Sequence, residues 1–363
     1  MYKTAIKLLK KINNQGFVSY IVGGYPRDLY LNRPSIDIDI CTSATPKDLK
    51  EIFGDIMLPK VNYGSVTVIV NKIRFEITTF RKEIKYENNR VPVEMEYIDD
   101  LYEDLKRRDF TINTLCMDSS GTVIDLLDSK KDLDDRIIRM VGNPKIRLKE
   151  DALRILRAIR FAVTLDFKID GELKKYIKEY GYLLKKLSYY RKKEELDRIF
   201  ASGNVGYGID LIKELELDKY LELSNIDSLT ITDYPIGIWA QLDVLDKYSF
   251  TNNEHETIQK INELKNENIL DNEILYKYGL YIVSIVGDIR GIDRKIITAA
   301  YNALPIKCRY DIAIEPLEIA NVLDSKPGSY LKEIIIDLEY KILHNDLIND
   351  NKILKEYILK NYK

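Results

Sequence analysis

Asp37 and Asp39 alternate with Ile36, Ile38 and Ile40 in the run IDIDI, and two adjacent glycines, Gly23 and Gly24, close an apolar stretch a short way upstream. On a strand, successive side chains point to opposite faces, so the isoleucines share one face and the two carboxylates the other. Carboxylates held that close repel one another, and burial adds a desolvation cost. A lone pair of this kind is, by default, an acidic solvent-facing strand. A divalent cation changes the balance by turning repulsion into attraction. Hard oxygen donors on a rigid strand suit Mg²⁺, which retains several waters and takes further oxygens from substrate phosphates. Two such ions activate a hydroxyl nucleophile and neutralise a departing pyrophosphate.

The neighbourhood favours the metal reading. Gly23 and Gly24 end a strand, allow a turn without a Cβ, and let backbone N–H groups approach a phosphate. Arg27 follows directly and can clamp a triphosphate oxygen. A third carboxylate, Glu76 in FEITTFR, sits on a run able to pair beside the DxD strand. Phosphate grip, metal ligands and a third acid together describe a site for nucleotidyl transfer.

This segment resembles the catalytic signature of the DNA polymerase β nucleotidyltransferase superfamily, GG followed by DxD. The fuller pattern GGxxRDxLL…DxDxxTxxxP resembles that of the class II tRNA nucleotidyltransferases, the CCA-adding enzymes, together with bacterial poly(A) polymerases. Pro26 and Asn32 depart from the usual pattern, and neither is one of the acids. The resemblance implies an α+β chain: a small N-terminal mixed-sheet nucleotidyltransferase head followed by an all-helical neck, body and tail. It implies Asp37, Asp39 and Glu76 as the catalytic acids and Mg²⁺ held by Asp37 and Asp39. Gly23, Gly24 and Arg27 would bind the nucleotide.

A second block, LKRRDFTINTL, reads by itself as a charged helix end running into a buried segment. The resemblance assigns RRDFTIN to nucleotide binding. Asp109 would accept from the ribose hydroxyl, Arg108 would hold phosphate or sugar, and Asn113 would support them. In the third block, KEDALRILRAIRFAV, the spacing of Ala152, Leu156, Ile159 and Val163 predicts a buried helix stripe. Asp151 and Arg154 are i, i+3 neighbours on another face, where an ordinary intrahelical ion pair is the default. Arg157 and Arg160 continue the series as a positive ridge suited to phosphates.

The EDxxRxxRxxRF pattern resembles the nucleotide-selecting motif of the same family, and its logic follows from base edges. A carboxylate only accepts and a guanidinium only donates. Cytosine and adenine each offer an amino donor beside a ring acceptor, so Asp151 with Arg154 complements CTP and ATP. Guanine and uracil place like partners against both groups and are rejected. No nucleic-acid template is needed. The function implied is addition of CCA to tRNA 3′ ends. The alternatives are addition of the terminal A alone, polyadenylation, or a non-catalytic tRNA-binding protein with a retired nucleotide site.

These residues need positioning elements. Strand patterns concentrate in the first 145 residues, at Phe17–Val22, Ile36–Thr42, Ser65–Val70, Lys72–Phe80 and Val93–Tyr97, with Val70-Asn71-Lys72 as a tight hairpin connection. Helices are expected at 3–13, 46–54 and 100–106, and Phe80–Pro92 as the loop between the first two motifs. From Lys149 onward helical patterns dominate. The expected divisions are a head at 1–145, a neck at 146–210, a body at 211–295 and a tail at 296–363. Within the neck, LSYYRKKEELDRIF resembles the family's later motif, with Ser188, Arg191, Glu195 and Leu196 in place. Near the end, Gly328, Glu339, Leu347 and Asn349 match the tail of Gram-positive members. The partner implied is tRNA, at its acceptor stem and elbow, and body and tail would cradle the elbow.

Bulk properties limit the alternatives. The chain has 363 residues and a formal net charge of −2, which argues against a protein that coats nucleic acid non-specifically. Its length calls for more than one domain. No apolar run approaches a membrane span, the N-terminus lacks a signal-peptide pattern, and Cys41, Cys116 and Cys308 have neither disulfide-framework nor zinc spacing. A cytoplasmic setting is expected, with no protein partner evident. His255 and His344 are too few for a His-Asp phosphohydrolase domain and are expected on the surface. Trp239 is expected in a core, and the clusters Lys185-Lys186 and Arg191-Lys192-Lys193 on a solvated face.

Overall fold

The computed structural model describes residues 1–35, 37–58, 64–87 and 91–363, and the chain forms two compact units, Met1–Leu223 and Ser224–Lys363. The first unit opens with helix α1 (Tyr2–Asn13), whose buried face is Ala5, Leu8, Leu9 and Ile12. Strand β1 (Ser19–Val22), helix α2 (Gly24–Tyr30), strand β2 (Asp39–Thr42) and helix α3 (Pro46–Phe53) follow. Thr45 starts α3 with a reciprocal cap: its hydroxyl accepts from the Asp48 N–H, and the Asp48 carboxylate accepts from the Thr45 N–H. Such a cap contributes about 1 kcal/mol.

Strands β3 (Ser65–Val70) and β4 (Ile73–Thr79) form the expected hairpin. Asn71 and Lys72 both adopt left-handed φ, 52° and 65°, the turn geometry that matches the right-handed twist of the flanking strands. The segment expected as a loop is instead largely extended. Strand β5 (Arg81–Glu87) pairs antiparallel with β6 (Val91–Tyr97); residues 88–90 lie outside the described residues. The sequence reason is visible afterwards, since Ile84, Tyr86, Val91 and Val93 keep a period of two through both arms.

Helix α4 (Leu101–Lys106), begun by the Asp100 side chain accepting from the Tyr102 N–H, leads to β7 (Cys116–Met117) and β8 (Val123–Ile124). The six-stranded sheet has the order β3-β4-β2-β1-β7-β8. It is mixed because β2 runs parallel to β4 and antiparallel to β1. One face carries Ile21, Ile40, Val66, Val68, Phe75 and Ile77 against α1 and α3, where Leu49 and Phe53 complete the core. The other face is covered in part by a smaller cluster of Val22, Cys41, Phe80, Leu105 and Cys116. Beside that cluster the sheet is open to solvent.

Helix α5 (Ser129–Asp134), strand β9 (Ile137–Ile138), helix α6 (Pro144–Glu150) and helix α7 (Leu153–Leu165) come next. The expected continuous helix from Lys149 is therefore broken: Asp151 is extended, φ −142° and ψ 103°. The apolar stripe Ala152, Leu156, Ile159 and Val163 is buried as expected. One further short strand, β10 (Lys168–Ile169), pairs parallel with β9, so strand structure does not end at residue 149. Helices α8 (Gly171–Tyr180), α9 (Tyr189–Phe200) and α10 (Val205–Glu214) build out the unit. On α9 the basic cluster is not fully solvated. Lys192 and Lys193 are buried, with the Lys192 ammonium 4.3 Å from the Tyr189 ring centroid and Lys193 bonded to Asp197 at 2.9 Å.

The second unit is helical, with its longer helices at Asn252–Glu263, Asn272–Arg290, Arg294–Ala303, Tyr330–Leu343 and Asn351–Tyr362. The run Asn272–Arg290 is interrupted at Gly279, φ 72°. Trp239 is buried beside Tyr248 and Phe250. His255 and His344 are exposed. Glu339 accepts from Arg309 and Tyr276, and the Asn349 side chain accepts from the Ala313 N–H and donates to the Asp311 carbonyl. Among the described residues no helix is long and apolar enough to cross a membrane.

Candidate active site

The end of β1 and the start of β2 bring the first motif together. Asp39 stands in register with Val22 on one side and with Glu76 on the other. Gly23 follows Val22 with φ 81°, a conformation that an L side chain resists. A Cβ added there would lie 3.9 Å from the Asp39 Oδ2. Asp37 precedes the strand, and its carboxylate accepts from the Ile38 N–H at 3.0 Å. Ile36 lies outside the described residues. Burial still alternates as expected: Asp37 and Asp39 are exposed, Ile38 and Ile40 buried, and Glu76 is exposed on β4.

This crowding has an electrostatic signature. Loss of hydration, then the charges of Asp37 and Glu76, push the Asp39 carboxyl up to about 6, against an opposing pull from Arg108. Among the described residues no group of three or more His, Cys, Asp or Glu side chains is arranged to hold a metal ion. The donor set fits a different kind of site. A pair of hard oxygen donors, with a third carboxylate adding to the negative potential, suits a Mg²⁺ that fills its remaining positions with water and substrate phosphate.

A chain of polar contacts ties α2 to the second and third motifs. Arg27 is buried; its guanidinium bonds Asp28 at 2.9 Å and donates to the Asn113 side-chain oxygen at 2.6 Å. The Asn113 amide nitrogen donates to Asp109 at 3.1 Å. The Asp109 carboxylate also accepts from the Phe110 N–H at 2.8 Å and from both Nε and Nη2 of Arg157. Burial works against the Asp109 charge, but Arg157, Asn113 and that N–H hold its carboxyl well below the usual carboxylate range. Arg27, Arg157 and Arg160 all lie against the Phe161 ring, Arg160 at 4.0 Å from its centroid.

The third motif is anchored in the same way. Arg154 is buried and donates to the Arg147 carbonyl at 2.7 Å and to Glu150 at 3.2 Å. Asp151, in the break between α6 and α7, accepts from the Leu153 N–H at 3.0 Å. Arg160 bonds the buried Glu195 at 2.6 Å. The arginine series therefore carries matched carboxylates: Glu150 for Arg154, Asp109 for Arg157 and Glu195 for Arg160. Arg108 is held by the fully buried Asp104 at 3.1 Å, and Arg107 by the same carboxylate at 2.8 Å.

Four of these partners were not singled out as site residues in the sequence. Asp104 and Glu150 do carry a signal, since each sits three or four residues from the arginine it holds on a helix. Glu195 sits in the neck motif, but its partner lies thirty-five residues away. Arg147 shares the i, i+3 spacing with Glu150, but its contact with the carbonyls of Arg107 and Arg108, some forty residues away, has no spacing signal.

A mixed-sheet head with acids on its open face and a helical remainder defines a nucleotidyltransferase, and the "Poly A polymerase head domain" family model matches residues 19–139. Residues 166–225 match "Probable RNA and SrmB- binding site of polymerase A", and residues 239–358 match a model for domain 2 of tRNA nucleotidyltransferases. Among curated relatives, the CCA-adding enzyme of Ligilactobacillus salivarius is 36% identical, covering 98% of this chain and 95% of its own. That of Enterococcus faecalis is 33% identical, with 99% and 96% covered. The crystal structure of the Bacillus stearothermophilus CCA-adding enzyme in complex with CTP superposes with a TM-score of 0.81 at 26% identity, covering 99% of this chain and 97% of that one. The chain belongs to the CCA-adding enzyme family.

Proposed function

We propose that this protein adds C, C and A to the 3′ end of tRNA from CTP and ATP, without a nucleic-acid template and with release of pyrophosphate. The observation that carries the reading is the placement of Asp37, Asp39 and Glu76 on the open face of the head sheet, beside the Gly23 turn, in a chain of this family. The tRNA 3′-hydroxyl attacks the α-phosphate of the bound nucleotide, the new phosphodiester bond forms, and the bond to pyrophosphate breaks.

Asp37 and Asp39, with Glu76 adding negative potential, are the residues that would hold Mg²⁺; when bound, the ion makes the attacking hydroxyl more acidic and offsets charge on the phosphates. Gly23 and Gly24 bring backbone close to the triphosphate. Arg27, fixed by Asp28 and Asn113, lies beside the Gly24 turn, and Arg108, fixed by Asp104, is near enough to Asp39 to pull its carboxyl down; both would hold phosphate or sugar. Asp109 is kept ionised by Arg157, so toward a ribose hydroxyl it acts only as an acceptor. Asp151 and Arg154 supply the accepting and donating edges that suit cytosine and adenine, with Arg157 and Arg160 holding the helix face in place.

The head, neck, body and tail at 1–145, 146–210, 211–295 and 296–363 divide the work in the cytoplasm, the last two cradling the elbow of the tRNA. The test is incorporation of labelled CTP and ATP into tRNA transcripts ending at the discriminator base, after C, or after CC. Full addition requires C on the first two and A on the third. Incorporation of A alone, or a growing A tail, would replace this reading with one of its relatives.

A further inference from the structure

Arg147 lies in the middle of α6, and its side chain is only 11% exposed. One guanidinium nitrogen, Nη2, donates to the carbonyls of both Arg107 and Arg108, the latter at 3.0 Å; the other, Nη1, bonds Glu150. The carbonyls that end a helix lack intrahelical partners, and a planar guanidinium can satisfy two of them while binding a carboxylate as well. Arg147 thus closes the C-terminal end of α4 at the point where the chain turns into Arg108 and Asp109. Its own carbonyl and its Glu150 partner both accept from Nη1 of Arg154. Two motifs about forty residues apart in sequence meet on this one side chain.

We infer that Arg147 is a positioning residue for the reaction: it sets the spacing between the base-reading pair, Asp151 and Arg154, and the sugar- and phosphate-facing pair, Arg108 and Asp109. This rests on the function proposed above. Arg147 touches no nucleotide in this scheme. It acts by holding the Arg107–Arg108 backbone and Glu150 at fixed distance, so that a base seated against Arg154 places its ribose and triphosphate on the other block. A lysine keeps the charge but, with a single point of attachment, cannot hold two carbonyls and a carboxylate in one plane.

The test compares Arg147→Lys with the full-length protein in steady-state kinetics and in amide hydrogen exchange. On a transcript ending at the discriminator base, the preference for CTP over UTP should fall about tenfold or more, with KM for CTP raised and KM for tRNA unchanged. Amides of residues 107–113 should exchange faster. A folded Arg147→Lys protein with wild-type nucleotide preference would overturn the inference. Should that variant fail to fold, Glu150→Gln leaves both carbonyl bonds in place. It should lose preference without faster exchange at 107–113, and unchanged preference overturns the inference equally. If the unaltered protein incorporates neither CTP nor ATP, the proposed function has failed separately. Exchange at 107–113 in Arg147→Lys then decides the clamp alone, faster supporting it and unchanged refuting it.

Discussion

Asp39 and Glu76 face one another across the parallel strands β2 and β4, and each adds to the negative potential that the other must bear. The folded chain holds the Asp39 carboxyl at about 6, above its ordinary 3.8. A group so shifted is harmless to stability below its unfolded pKa, and its cost grows as pH rises through the folded value. In EDTA, Asp39→Asn should therefore melt higher than the unaltered protein at pH 7.5 and no higher at pH 3. Because Asp39 is open to solvent, the gain is at most about 1 kcal/mol. The same variant should incorporate no nucleotide. Mg²⁺ should raise the melting temperature of the unaltered protein and leave the variant unmoved.

The Asp109–Arg157 pair gives the opposite pH behaviour. Asp104 and Asp109 are both held below the ordinary carboxylate range, so the stability they contribute is complete above about pH 4 and is lost on further acidification. Asp109→Ala strands a largely buried guanidinium and should cost about 3 kcal/mol. Replacing both partners, Asp109→Asn with Arg157→Met, should cost less than the single change. Urea denaturation of the three variants checks the order, and equal losses would refute the pairing.

Nucleotide choice should follow Arg154. Arg154→Ala removes the donor edge proposed for the N3 of cytosine and takes one partner from Glu150. Discrimination between CTP and UTP should drop by about a hundredfold while tRNA affinity holds. A binding assay with labelled tRNA run beside the kinetics separates the two. Selectivity unchanged in a folded variant would remove Arg154 from base reading.

A structural prediction is independent of chemistry. Lys72 adopts a left-handed φ of 65° in the β3–β4 turn, where a side chain costs about 1 kcal/mol. Lys72→Gly should stabilise the protein by up to that amount in thermal or urea unfolding. A destabilised variant would mean that the turn has another geometry.

The head was largely legible in the sequence because its strands alternate cleanly and its turns carry their own chemistry. Asp37 and Asp39 declared a shared face through the isoleucines between them, and Val70-Asn71-Lys72 declared a hairpin connection. What stayed hidden was tertiary. The break at Asp151 lies inside a run with unbroken helical periodicity, and nothing local shows that its backbone turns extended. Phe80–Pro92 read as a connection because its charged residues masked a period-two pattern. Lys192 and Lys193 read as solvated, since a run of basic residues gives no sign that α9 buries two of them. The carboxylate partners of Arg157 and Arg160 lie far away in sequence, so the arginines looked like an open ridge when each is matched by an acid.

The central claim is that Asp37 and Asp39 bring a divalent ion to an incoming triphosphate. A crystal structure of the protein grown with CTP and Mg²⁺ tests it most directly. Density for an ion bound to both aspartates and to phosphate oxygens of CTP, with the cytosine edge against Asp151 and Arg154, is the predicted result. CTP bound elsewhere on the chain, or seated in the head with no ion between it and the two aspartates, would contradict the account.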